Sequence, residues 1–371
     1  MIGFAPTSHS ECQIFASVEC CDVPLEVHLL RKTVLVLVLA LLGGHGTNAQ
    51  PASVEKQKPL TVITIAHPGA ISPSVSLPLA IAREHGLFAK YGLEARFIGK
   101  FPGAARLLGK EAEFAYFGSA AILLGIIENG TDLKILGAIN NGRISFQLVT
   151  RAEIRKPEDL RGKRIGVFSI GTGIWVATVQ VLEHLGLDPV RDSITFLPVG
   201  NVTQVAKALE EGRIDAGMLS PVQSDQMQSK GFSVLFDTKT NNLYGAQSLP
   251  VVSATYLQQH PDIVDKFVSA LVDAIAFSLA PKNKPAVLKT IMAEFNLADI
   301  AAAEKGYEDL SNLNRKPYPS IESLKGVQKI MTLHDPKVLN LKIEALLDDR
   351  FVRKLDENGF IDRLLNTYET R

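Results

Sequence analysis

The chain has 371 residues, 46% apolar and 21% charged, a globular composition long enough for more than one core. Lys plus Arg number 39 and Asp plus Glu 39, so the basic excess that a nucleic-acid binder needs is absent. The three cysteines, Cys12, Cys20 and Cys21, all precede the first apolar run, which excludes a disulfide framework, a CxxC motif and a Cys-based zinc site from the rest of the chain.

Arg31 and Lys32 precede an unbroken apolar run at 33–42, and a looser small-residue segment follows, ending at Ala49. This order of positive, apolar and small residues reads as an export signal cleaved after Ala49, with a periplasmic destination. The run is shorter than the roughly 20 residues a membrane-spanning helix needs, so a cleaved signal is expected rather than an anchor. Residues 1–30 carry Glu11, Glu19, Asp22 and Glu26 and suit a signal poorly. Translation is therefore expected to start near Val27 or Leu30.

Beyond a polar leader, strand-like and helix-like segments alternate. Residues 61–66, TVITIA, are short and β-branched and read as a buried strand. A helix is expected over 76–84, stopped at Gly86, and a strand over 93–98. A helix near 104–108 leads to a strand at 114–117, and Ser119 stands where it can cap a helix running to Glu128. Strands follow at 133–139, 146–150, 164–168, 194–197, 216–219 and 233–236. Helices fill 174–185 and 202–211, the latter capped by Asn201. From Pro261 onward the pattern is almost wholly helical. Such alternation predicts an α/β protein, each lobe a mostly parallel sheet flanked by helices, with a helical C-terminus. KEAEFAYFGS (110–119) and GRIDAGMLSP (212–221) echo one another: each places an acid before a short apolar strand and a small polar residue after it. Two lobes of similar plan would produce this.

Four motifs in order carry a family resemblance: AREHGLFAKYGLEARFI (82–98), KPEDLRGKRIGV (156–167), ALEEGRIDAGM (208–218) and HPDIVDKFVSALVDAIAF (260–277). They resemble the periplasmic substrate-binding proteins of ABC importers, in the group that takes aliphatic sulfonates, taurine, nitrate and thiamine-pyrimidine precursors. The resemblance implies a two-lobed periplasmic binding protein fold of type II with a ligand cleft between lobes. It puts the crossovers near 146–151 and 247–253, lobe one at 59–149 plus 250–371, and lobe two at 150–249. It implies a monomer that captures a small organic, anionic solute and hands it to a membrane permease, whose partner ATPase burns ATP. No cofactor, metal or nucleic acid is implied, and the chain has no GxxxxGK[ST] loop of its own. Related roles are a periplasmic sensing module and an enzyme like the thiamine-pyrimidine synthases.

In α/β sheets ligands sit beyond the carboxyl ends of strands, near helix N-termini. The turns that qualify here hold Pro68, Gly69 and Ser72; Phe117, Gly118 and Ser119; Arg143; Ser169, Thr172, Gly173 and Trp175; Asn201; and Ser220. Glycine admits close backbone approach, hydroxyls and free helix N–H groups suit an anion, and Arg143 can pair with one. The plainer reading is that the Ser, Thr and Asn residues cap helices, that Arg143 is solvated, and that Trp175 and Phe117 pack in a core. His67, after the first strand, falls near the histidine that the pyrimidine synthases consume. The synthases' cysteine-rich iron site has no counterpart here, and a lone strand-end histidine is ordinarily structural. Binding without bond chemistry is the expectation.

Overall fold

The computed structural model describes residues 59–67, 69–99, 108, 110–143, 145–241, 243 and 247–370. The expected signal at 1–49, Pro68 and most of the helix expected near 104–108 lie outside the described residues. In chain order the strands are β1 (Thr61–His67), β2 (Leu93–Gly99), β3 (Phe114–Gly118), β4 (Leu133–Ile135), β5 (Gln147–Thr150), β6 (Arg164–Val167), β7 (Thr195–Pro198), β8 (Ala216–Leu219), β9 (Ser233–Asp237) and β10 (Ser248–Ser253). They form two five-stranded sheets, ordered β2-β1-β3-β10-β4 and β7-β6-β8-β5-β9. In each sheet one strand, β10 or β5, runs antiparallel to its neighbours, and the β2-β1-β3 and β7-β6-β8 pairings are parallel.

The two sheets therefore share one plan. The echoing segments form β3 and β8, each third in its sheet. The acid before each strand has a defined task there: Glu113 Oε2 accepts the N–H of Thr64 at 2.6 Å, and Asp215 Oδ2 accepts the N–H of Arg164 at 2.9 Å. Both acids occupy backbone donors on the neighbouring parallel strand, as an unpaired strand N–H needs.

The helices are α1 (Pro73–Glu84), α2 (Leu87–Lys90), α3 (Ser119–Asn129), α4 (Gly173–His184), α5 (Val202–Glu210), α6 (Pro221–Ser229), α7 (Ala254–Gln259), α8 (Pro261–Leu279), α9 (Lys284–Phe295), α10 (Ile300–Glu308), α11 (Ile321–Met331), α12 (Ile343–Leu346), α13 (Arg350–Glu357) and α14 (Phe360–Thr370). One face of the first sheet carries α1, α2, α8, α9, α13 and α14 over a core that includes Ile63, Leu77, Phe114 and Phe267. The other face carries α3 and α11 through Ile122, Leu324 and Val327. In the second sheet α4 covers one face through Val181 and Leu182, and α5 the other through Val205 and Leu209. No described helix is long and apolar enough to cross a membrane.

The strand expected at 133–139 stops at Ile135. Beyond it the backbone divides its bonds, Leu136 and Ile139 donating to Pro250 and Ser248 of β10 while Ala138 donates to Pro317. Helix α6 went unforeseen because its sequence, PVQSDQMQS, is polar; among its described side chains Ser224 and Met227 are buried. The chain passes between the sheets twice, through 136–146 and 238–247. Strand β5 lies wholly in the second sheet.

Candidate functional site

The two sheets' outer layers meet where α4 packs against α3 and α11. The second lobe's contribution is the turn ahead of α4. Gly171 adopts φ +80, and a Cβ there would lie 3.3 Å from Leu124 Cδ2, 3.5 Å from His334 Cδ2 and 3.6 Å from Met331 Cε. Glycine thus supplies both the left-handed turn and the close approach to the first lobe. Trp175 follows, 2% exposed, in one apolar cluster with Phe117, Ala120 and Leu123 of the first lobe. Its ring stands edge-on to Phe196 at 6.0 Å and to His334 at 6.5 Å. Trp175 is thus buried against apolar side chains of both lobes.

Two polar atoms in this seam have no hydrogen-bond partner, Trp175 Nε1 and Ser119 Oγ. Ser119 is fully buried. It does not cap α3: Gly118 occupies the N-cap position in extended backbone, and Ser119 is the first helical residue. Its N–H donates to the carbonyl of Gln247 at 2.9 Å, which leaves only the hydroxyl unused. Buried polar atoms without partners are rare in proteins, and these two stand on the first turns of helices that face each other across the lobes.

The other candidates are engaged locally. Thr172 Oγ donates to the carbonyl of Ser169 at 2.7 Å and accepts the N–H of Trp175 at 3.4 Å, an N-cap whose helix begins at Gly173. Asn201 and Gln204 form a reciprocal capping box at the start of α5, with bonds of 2.8 and 3.1 Å. Ser220 caps α6 through Gln223. Ser72 lies 3.5 Å from Ser74 through their hydroxyls. Arg143 is exposed, and its N–H donates to Asn141 Oδ1 at 2.8 Å. The sequence could not separate Ser119 from Thr172, Asn201 and Ser220, because all are small polar residues at helix starts.

His67 and Gly69 border a separate recess of about 10 Å³ beneath α1, room for one water. His67 Nδ1 accepts the N–H of Gly69 at 3.2 Å, so the neutral ring carries its proton on Nε2. Burial lowers the imidazole pKa below its ordinary value, and nearby Arg83 adds to this against the opposing pull of Glu294. Arg83 and Glu294 are themselves paired at 2.9 Å.

A family model described as NMT1/THI5 like matches residues 74–284, more than half of the chain. The chain belongs to the NMT1/THI5-like family. The taurine-binding periplasmic protein of Escherichia coli (strain K12) is 31% identical over 132 residues, 35% of this chain and 40% of that protein. The match thus spans about two fifths of the relative's length. Two solved structures share the fold. One is the alkanesulfonate-binding protein of Xanthomonas axonopodis pv. citri bound to MOPS, with TM-score 0.61 and 18% identity over 78% of this chain and 99% of that one. The other is a point mutant of the desulfurization enzyme DszB in complex with biphenyl-2-sulfinic acid, with TM-score 0.60 and 18% identity over 80% of this chain and 99% of that one. The NMT1/THI5-like chain thus has a periplasmic binding protein fold, which serves both binding proteins and an enzyme.

Proposed function

We propose that this NMT1/THI5-like chain is the periplasmic solute-binding component of an ABC-type importer. It captures a small organic anion between two lobes and delivers it to a membrane permease served by an ATPase. Lobe two comprises about 147–237, and lobe one the described chain on either side of it. The observation that carries this reading is the pair of orphaned donors, Ser119 Oγ–H and Trp175 Nε1–H, buried on opposite sides of the seam. An acceptor-rich group on a solute would complete both at once, and only a closed arrangement of the lobes would let it do so. Such a solute favours the closed form because it binds that form better. The apolar surroundings, Phe117 and Phe196 among them, suit a solute whose remainder is aliphatic or aromatic. A sulfonate meets both requirements, in keeping with the names of the taurine- and alkanesulfonate-binding relatives.

Calorimetric titration with a panel of taurine, short alkanesulfonates, nitrate and carboxylates tests the proposal. At least one sulfonate is expected to bind, and Ser119→Ala and Trp175→Phe should each weaken it by about 10- to 100-fold, the worth of a hydrogen bond to a charged group. Arg143→Ala should weaken anions more than neutral compounds. Failure of every panel member to bind, or unchanged affinity in both seam variants, would refute the site. The likeness to DszB favours a second reading, a sulfur-processing enzyme on the same fold. Turnover of a bound sulfonate or sulfinate by the purified chain would decide for it, and any covalent step would have to proceed without a cysteine beyond Cys21.

A further inference from the structure

Asn140 lies in the first passage between the sheets and is 2% exposed. Every hydrogen-bonding atom of its side chain is engaged. Nδ2 donates to Ser248 Oγ at 3.0 Å and to the carbonyl of Ser74 at 3.3 Å. Oδ1 accepts the N–H of Gly142 at 3.1 Å and of Ser248 at 3.1 Å. The backbone carbonyl of Asn140 accepts Gln247 Nε2 at 3.4 Å. Gly142 belongs to the first passage, Gln247 and Ser248 close the second, and Ser74 stands in the first turn of α1. Three segments distant in sequence meet at one side chain.

The Ser74 carbonyl is available for a reason written in the sequence. Its helical partner would be the N–H of residue 78, and residue 78 is proline, which has none. Ser74 is 1% exposed, so its carbonyl needs another donor. Pro78 thus redirects an internal helix bond into a tie between α1 and the interlobe passages. The same turn is held from a second direction: Ser74 N–H donates to Asp309 Oδ2 at 2.8 Å, and Asp309 Oδ1 accepts Asn312 Nδ2 at 2.9 Å and Ser145 Oγ at 3.5 Å.

The geometry points to Asn140 as a positioning residue for lobe closure, a role that rests on the two-lobe binding reading. It joins both passages and the first turn of α1 into one joint, so that the turn after β1 follows the hinge as the lobes move. Its side chain need not touch a solute to set how readily the closed form is populated.

Lobe motion can be read with no solute at all, by small-angle scattering and amide hydrogen exchange on the full chain. Asn140→Ala should raise exchange at the Gly142 and Ser248 amides about tenfold, the loss of one hydrogen bond each. It should also enlarge the radius of gyration at unchanged far-UV circular dichroism, which a residue that merely stabilised the fold would not do. Asn140→Asp keeps volume and acceptor but loses the donor to Ser74, and Pro78→Ala returns a helical N–H to that carbonyl. Both should show the scattering shift while Gly142 and Ser248 stay protected, so the test survives if Asn140→Ala fails to fold. Pro78→Ala with Asn140→Ala should fall short of the sum of the single changes, because Asn140→Ala removes the tie that the restored helical N–H of Pro78→Ala weakens by competing for the same carbonyl. Parent-like scattering in Asn140→Asp and Pro78→Ala, or strict additivity, overturns the joint. A negative solute panel would refute the proposed function and leave these scattering outcomes unaffected.

Discussion

The two lobes are built on one strand order and filled with different side chains. At matched register the first sheet pairs Ile65 with Phe114 and Ala66 with Ala115, whereas the second pairs Ile165 with Ala216 and Gly166 with Gly217. Without side chains at Gly166 and Gly217 the cover of the second sheet comes closer: a Cβ on Gly217 would lie 2.4 Å from Val205 Cγ1, and one on Gly166 2.3 Å from Ile214 Cδ1. The first sheet has Ala66 and Ala115 at those two positions, and carries Phe114 where the second has Ala216. Buried charge divides the lobes as well. Lobe one holds Asp273, fully buried in α8, which accepts Lys90 Nζ, Tyr91 Oη at 2.9 Å and Tyr368 Oη at 2.8 Å. Lobe two also covers its carboxylates, but pairs each with an exposed guanidinium, Asp192 with Arg191 and Asp215 with Arg164. A shared topology therefore fixes neither the packing class nor where charge is stored; each lobe solves its own interior.

The sharpest test of that division is Asp273→Ala, which removes three charge-assisted bonds and orphans two tyrosine hydroxyls. It should cost about 3 kcal/mol in denaturant unfolding; a loss under about 1 kcal/mol would mean the hub does not secure α14 to α8. Gly217→Ala should cost about 2 kcal/mol by overpacking against Val205, and neutrality would show that the second lobe's cover is not held by the glycine pair.

Acid should reach the two lobes at different pH. The His67 pKa is lowered on folding, so its contribution is present above its ordinary value of about 6.5 and is lost as pH falls through the folded value. Asp192 is held down to about 2 by its bond to Arg191. Its contribution is present above the ordinary carboxylate value of about 4 and is lost as pH falls toward the folded value. Melting temperature against pH should therefore decline in two arms, the upper flattened by His67→Gln and the lower by Asp192→Asn. A single arm would erase the contrast.

The smallest effect belongs to an exposed pair that joins the lobes, Lys305 with Asp225 at 3.3 Å. Lys305→Ala should change stability by less than about 0.5 kcal/mol. A larger loss in denaturant titration would mean that charge at the rim, rather than the Trp175 seam, holds the lobes together.

Much of the fold was legible because strands such as TVITIA and helix stops such as Gly86 and Gly130 act locally, through β-branching and left-handed backbone. Even the twofold plan was visible in the echo of 110–119 and 212–221. The seam was less legible. Ser119, Thr172, Asn201 and Ser220 are chemically alike at helix starts, and only three-dimensional pairing leaves the Ser119 hydroxyl without a partner. The role of Asn140 was invisible for a similar reason: its partners, Ser74 and Ser248, are remote in sequence, and Pro78 reads alone as a helix defect. The end of β4 at Ile135 depended on bonds to the distant segment around Pro317, which no local pattern announces.

The placement of β10 bears on the order in which a growing chain can fold. It sits between β3 and β4, so β4, though made early, has no neighbouring strand until residue 253 has emerged. The second sheet needs only 147–237, one uninterrupted stretch. Domains tend to fold as units during synthesis, N-terminal first, but here the lobe that begins first is completed last. During that interval the ribosome-bound chain carries β3 with one edge open beside a finished second sheet, and strand-pairing accidents or chaperone capture should fall on the first lobe.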